Sequence, residues 1–170
     1  NWILYVIDDA SGDDSLLKIK QKYKEHNGKI KYYSFNKNRR QAFARNFLIG
    51  KSSGKFIAFI DQDDVWVKEK LKWQIDYIQN GCYDAVHGNL KMIDTAGNVF
   101  LDDIWKKENA ERRAIPWESL SKKELAEKIF QKPNIRIISS LIKRDLFDKV
   151  NSFRDQFFGG EDSTFWFEEA

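Results

Sequence analysis

The chain has 170 residues, enough for one core, and 42% hydrophobic with 32% charged residues exclude both a disordered tail and a fibrous chain. Its 29 basic and 26 acidic residues leave a formal charge of +3 spread along the chain, the densest basic groups being Lys37 to Arg40 and Arg112 to Arg113, which speaks against a nucleic-acid partner. The single cysteine, Cys82, excludes an intrachain disulfide, no Cys/His cluster suggests zinc, and no apolar run approaches a membrane span.

In chain order, Trp2 to Ile7, Ile30 to Phe35, Phe56 to Ile60, Ala85 to Leu90 and Arg136 to Ile142 are short apolar runs that read as strands, most of them too continuous to have one wet face. Helices lie between them. Leu16, Ile19 and Tyr23 share one face of the first; Leu71, Ile75 and Ile78 share one face of another, with Gly81 placed for a left-handed cap. Asp13 and Asp14 stand before the first helix as turn formers and caps, and Ser121 with Glu124 matches a capping box ahead of Leu125 and Ile129. Alternating strands and helices predict an α/β domain over 1–170, with a mostly parallel sheet flanked by helices and its ligand at the carboxyl ends of the strands.

Two of those ends are acidic. Trp2 to Ile7 runs into Asp8 and Asp9, and Phe56 to Ile60 runs into Asp61, Gln62, Asp63 and Asp64. Carboxylates so close raise one another's pKa unless a cation or hydrogen-bond donors compensate them. Mg²⁺ or Mn²⁺ fits, since such hard cations take oxygen ligands and are often held by one or two carboxylates with phosphates and water. A lone D-x-D equally describes a turn.

The order of the motifs is more specific. VIDDASGDDSL resembles the VVDDGSTDDTL of family 2 glycosyltransferases, NRRQAFARN their N-x-G-x-x-x-A-R-N, and SGKFIAFIDQDDVWVKEKL their A-x-G-x-Y-I-x-F-L-D-x-D-D-x-W-x-P-x-K-L. Downstream, Ala85 to Gly97, Ser139 to Asn151 and Gly159 to Trp166 resemble the segments ending I-D-x-x-G, S-S-x-x-x-R-x-x-F-x-x-V-G and G-x-E-D-x-x-L-W. The resemblance implies the GT-A (Rossmann-like) fold and an inverting, metal-dependent transfer of a sugar from a nucleotide-diphosphate sugar to a saccharide or lipid-linked saccharide acceptor, in cell-surface polysaccharide synthesis. It implies Asp9 at the nucleotide base with Asp8 supporting the loop, Asp61 at the ribose and Asp63 at Mg²⁺ or Mn²⁺. Asp162 becomes the general base, Glu161 orients the acceptor, and Arg40 or Arg45 reaches the nucleotide or its diphosphate. Trp66 reads as closing the core edge, His87 as a strand residue, and Phe157, Phe158, Phe165 and Trp166 as core or acceptor-groove aromatics.

Arg40 and Asn151 depart from the family's glycines, so loop shapes are expected to differ there. The family's opening strand is missing before Asn1, and the chain stops at Ala170 within the helix after the Glu-Asp pair; a fragment is expected, with membrane association left to absent segments. The cytoplasm, or the inner face of the membrane, is the expected location. The alternatives are a nucleotidyltransferase, which usually carries a phosphate loop not visible here, and a non-catalytic carbohydrate- or nucleotide-binding domain.

Overall fold

The computed structural model describes residues 1–26, 28–100, 110, 114–116, 119–131, 135–150, 152–154 and 160–169. The sequence-based expectations for Arg112, Arg113, Asn151, Phe157, Phe158 and Gly159 lie outside these residues. The chain groups into two compact units, Asn1–Ile57 with Ile142–Phe165, and Ala58–Leu141 with Trp166–Ala170.

The first unit opens with β1 (Leu4–Asp8), which pairs in parallel with β2 (Ile30–Ser34) from Leu4↔Ile30 to Asp8↔Ser34. The connection is α1 (Ser15–Lys22), entered through Asp13, whose carboxylate accepts from the Ser15 N–H at 3.0 Å. Asp14 instead pairs with Lys18 one turn on at 2.7 Å. The apolar face expected on α1 stays largely open, with Ile19 and Tyr23 exposed and none of the helix buried. Packing is carried by α2 (Arg40–Lys51), which buries Ala42, Ala44, Arg45 and Ile49. Its Phe43 and Phe47 meet Phe35 edge-on at 5.5 and 5.2 Å between ring centroids, a favoured aromatic geometry.

The strand expected from Phe56 to Ile60 is shorter. β3 spans Phe56–Ile57 and pairs antiparallel with β7 (Ser140–Lys143) through Phe56↔Lys143 and Ile57↔Ile142. Parallel pairing therefore holds for β1 with β2, and β3 with β7 departs from it. Arg144, first residue of α5 (Arg144–Lys149), locks this corner: its Nε donates to the Gly54 carbonyl at 2.8 Å, one terminal nitrogen to Ile49 at 3.2 Å, and the other to the Ser52 hydroxyl. A guanidinium on the last carbonyls of α2 also complements the helix dipole. Below it lies an aromatic core in which Phe147 and Phe153 each approach Phe165, first turns of α6 (Glu161–Glu169), to 5.1 Å.

In the second unit, α3 (Lys70–Asn80) turns Leu71, Gln74, Ile75 and Ile78 inward, as its spacing predicts. The buried Gln74 is satisfied on both sides, donating to the Ser139 carbonyl and accepting from Lys70, each at 2.7 Å. Gly81 ends α3 in an extended conformation, φ −117, and not the left-handed cap expected. A Cβ at this position would meet the Tyr83 ring, which would have to shift. β4 (Ala85–His87) neighbours β7, with the Gly88 N–H donating to Ser139 at 3.0 Å. The expected strand over 136–142 begins instead as a 3-10 turn, Ile137–Ser139, with Ile137 fully buried.

A hairpin absent from the sequence-based reading follows, β5 (Met92–Ile93) with β6 (Val99–Phe100). Asp94 builds its turn by accepting from the N–H groups of Ala96 and Asn98 at 2.9 and 2.8 Å, which hold its carboxyl below the usual range, while Gly97 supplies φ 83. The capping box before α4 (Lys122–Gln131) is present in both directions: the Glu124 N–H reaches the Ser121 hydroxyl at 3.3 Å, and Glu124 accepts from the Ser121 N–H at 2.9 Å. Among the described residues no helix is long and apolar enough to cross a membrane.

Candidate active site

In the first unit, β1 delivers Asp8 and Asp9 to a loop that turns sharply through Ala10 at φ 64. Asp8 fastens this loop, its Oδ1 accepting from the Ser11 N–H at 3.0 Å. Asp9 reaches across to the start of α2, where its two carboxylate oxygens accept the N–H groups of Arg39 and Arg40 at 2.6 and 2.7 Å. A carboxylate on exposed amides at a helix N-terminus is a stable anchor, since those amides have no partner within the helix. The anchor coincides with strain: Arg40 sits at φ 70, a left-handed conformation that favours glycine.

Arg45 and Asn46, on the inner side of α2, organise the other end of this unit. The buried Arg45 Nη1 stands 2.7 Å from Asp162 Oδ1 and 3.2 Å from Glu161 Oε1, on the first turn of α6. Its guanidinium carbon lies 5.5 Å from the centroid of Phe153. Asn46 grips the same segment, donating to the Phe153 carbonyl at 2.7 Å and accepting from its N–H at 2.9 Å. Asn46 belongs to the N-R-R-Q-A-F-A-R-N run, but the sequence alone gives it no partner, because Phe153 lies 107 residues away.

In the second unit, Asp61, Gln62, Asp63 and Asp64 occupy the turn after β3, where the Asp64 N–H donates to the Asp61 carbonyl at 3.2 Å. Burial first, then the charges of Asp61 and Asp63, push the Asp64 carboxyl above its ordinary value. Among the described residues no three His, Cys, Asp or Glu side chains converge as a metal cage. The donor set of this turn matches instead a hard cation that takes one or two carboxylates and draws its other oxygens from phosphates. One turn on, Lys70 lies 4.4 Å from the centroid of the half-buried Trp66, with its Nζ on Gln74 at 2.7 Å and on the Ser140 carbonyl at 3.4 Å. Burial lowers the Lys70 pKa to about 8.

An α/β chain with acidic turns after its strands and a carboxylate pair at a later helix start has the GT-A fold that the family resemblance implies. The solved structures agree on the fold: S. aureus TarS 1-349 superposes with a TM-score of 0.65 at 20% identity, covering 96% of this chain and 44% of that one. The mannosyltransferase PcManGT from Pyrobaculum calidifontis, in complex with GDP-Man and Mn²⁺, gives 0.65 at 17% identity over 95% of this chain and 40% of that one.

Residues 1–150 match the family model for glycosyl transferase family 2, and the chain belongs to that family. Among curated relatives, the UDP-Glc:alpha-D-GlcNAc-diphosphoundecaprenol beta-1,3-glucosyltransferase WfgD of Escherichia coli is 34% identical over 55% of this chain and 36% of its own length. The putative teichuronic acid biosynthesis glycosyltransferase TuaG of Bacillus subtilis is 32% identical over 46% of this chain and 31% of its own length. The matched segment thus spans about a third of each of these relatives.

Proposed function

We propose that residues 1–170 form the nucleotide-sugar-binding domain of an inverting glycosyltransferase that uses Mg²⁺ or Mn²⁺ and acts in cell-surface polysaccharide synthesis. The observation that carries this reading is the acidic turn after β3, where Asp61, Asp63 and Asp64 fall within four residues and the Asp64 N–H closes on the Asp61 carbonyl at 3.2 Å. A bound divalent cation would offset the negative charge gathered there, with a nucleoside diphosphate supplying further oxygens. The family match supports one domain because it runs through both compact units. The donor class is supported by PcManGT with GDP-Man and Mn²⁺ and by TarS in complex with UDP. A lipid-linked saccharide acceptor is supported by WfgD, whose acceptor carries undecaprenol, and such an acceptor fits work in the cytoplasm at the inner face of the membrane.

In this reading Asp63 holds the cation and Asp61 the ribose, while Asp9 accepts from the base and Asp8 keeps its loop in place. Arg40 takes the diphosphate role that the family resemblance offered to either arginine. When bound, the cation neutralises negative charge developing on the departing diphosphate. The acceptor hydroxyl attacks the anomeric carbon, its proton passes to the Asp162 carboxylate, the bond from that carbon to the diphosphate oxygen breaks, and the anomeric configuration inverts. Glu161 orients the acceptor.

The test is a screen of UDP-, dTDP- and GDP-sugars, each with Mn²⁺, against melting temperature, since a ligand of the native state raises it by mass action. A rise with one nucleotide series supports the reading. No rise with any of them contradicts it.

A further inference from the structure

We infer that Arg45 is a positioning residue for the acid-base pair, holding Asp162 and Glu161 in their working orientation through one buried nitrogen; this rests on the reading of Asp162 as general base. Arg45 is 7% exposed, and its Nη1 spans both carboxylates, at 2.7 Å to Asp162 and 3.2 Å to Glu161. Adjacent carboxylates on the first turn of a helix repel each other, and a cation between them offsets that repulsion and fixes which oxygen faces inward.

The anchorage of the guanidinium is independent of the carboxylates. Arg45 projects from the middle of a twelve-residue helix, beside the Phe153 ring, and the next residue, Asn46, is bonded to the Phe153 backbone in both directions. The helix, the Phe153 segment and the start of α6 are thereby tied at one point. A carboxylate held this way turns little about its χ angles, and a displacement of about 1 Å at a reacting group costs roughly 10²-fold in rate.

The phosphate role is the rival. It predicts that Arg45 variants lose nucleotide affinity, whereas a positioning role predicts loss of turnover through Asp162 alone. The experiment is a double-mutant cycle with Arg45→Gln and Asp162→Asn, reading kcat with the sugar donor found by the screen and, separately, the Kd of UDP, dTDP and GDP with Mn²⁺ by calorimetry. The expected result is a fall in kcat of about 10- to 10²-fold for Arg45→Gln with Kd within about twofold, and no further fall when it is added to Asp162→Asn, because residues that act as a unit are not additive.

Arg45→Lys keeps the charge on a single nitrogen but not the reach across both carboxylates, and loses kcat only several-fold. A loss that appears in Kd with kcat unchanged, or one that persists in full in the Asp162→Asn background, overturns the inference. If Arg45→Gln does not fold, the cycle with Arg45→Lys decides: a several-fold loss of kcat seen only with Asp162 present supports the inference, and an unchanged kcat marks Arg45 as structural and overturns it. Wild-type turnover in Asp162→Asn alone is a different failure, that of the general-base reading itself.

Discussion

Glu161 and Asp162 share one buried guanidinium, whereas Asp61 and Asp63 add their charge to the cost of ionising Asp64 on a single turn. The first group is compensated by its own fold, through a residue more than a hundred positions away in the chain. The second gathers three carboxylates within four residues of one turn. Carboxylates of the first kind are suited to a fixed geometry around a reacting proton. Those of the second kind are suited to recruiting a cation with its ligand, because a cation offsets charge gathered on one short turn. The contrast explains why one chain keeps two acidic groups with such different surroundings.

The largest stability effect expected is at the compensated pair. Arg45→Met leaves two carboxylates without their shared cation, and breaking a buried ion pair from one side costs about 3–5 kcal/mol; urea unfolding of this variant against wild type measures it. A loss below about 1 kcal/mol would place the pair among exposed bridges of little worth.

Next is Asn46→Ala, which removes both side-chain bonds to the Phe153 backbone and leaves an amide and a carbonyl to find other partners. The expected cost is about 1–3 kcal/mol in the same assay. Taken with Arg45, this variant asks how much of the anchorage is charge and how much is neutral hydrogen bonding.

A smaller and opposite effect is expected at Arg40. The left-handed φ of 70 costs a side-chain-bearing residue about 1–2 kcal/mol, partly offset by glycine's greater chain entropy, so Arg40→Gly stabilises by about 0.5–1 kcal/mol. Nucleotide diphosphate affinity falls in the same variant if the side chain meets the phosphates. A destabilised Arg40→Gly would show that contacts of the arginine outweigh the backbone strain.

The smallest effect expected is a pH dependence at Lys70 in the second unit. Burial lowers its pKa to about 8, below the ordinary lysine value of 10.5, so the unfolded chain binds more protons than the folded one between those values. Stability contributed by this residue therefore rises as pH increases from about 8 toward 10.5 and is flat below that window. Melting temperatures of wild type and Lys70→Met across this range should converge with rising pH. Parallel curves would show that the amine is solvated in the folded protein.

Much of this fold was legible because it is local. The runs that became β1 and β2, the inward face of α3 and the Ser121–Glu124 box each depend on residues a few positions apart. The misjudged elements depend on distant partners. β3 meets β7 at two register pairs far along the chain, and the space beside Gly81 is taken by the Tyr83 ring. The hairpin of β5 and β6 escaped notice because its strands are two residues each, too short to show alternation.

The acidic residues of the site were visible as types and spacings, and the family motifs supplied their expected roles. What no spacing revealed is which cation meets which carboxylate. Arg45 in the A-R-N run looked as suited to phosphate as any arginine, and its pairing with Asp162 depends on a separation of 117 residues. The same holds for Asp9, whose hold on the Arg39 and Arg40 amides ties β1 to α2 across about thirty residues.

The central claim is that the turn of Asp61 to Asp64 recruits a cation together with a nucleoside diphosphate. Its most direct test is calorimetric titration of UDP, dTDP and GDP into wild type and Asp63→Ala, each with Mn²⁺ and with EDTA. The account predicts that at least one nucleotide binds wild type tenfold or more tightly with Mn²⁺ than with EDTA, and that Asp63→Ala binds it with the weak affinity in both conditions. Equal affinity with and without the metal in wild type would contradict the account.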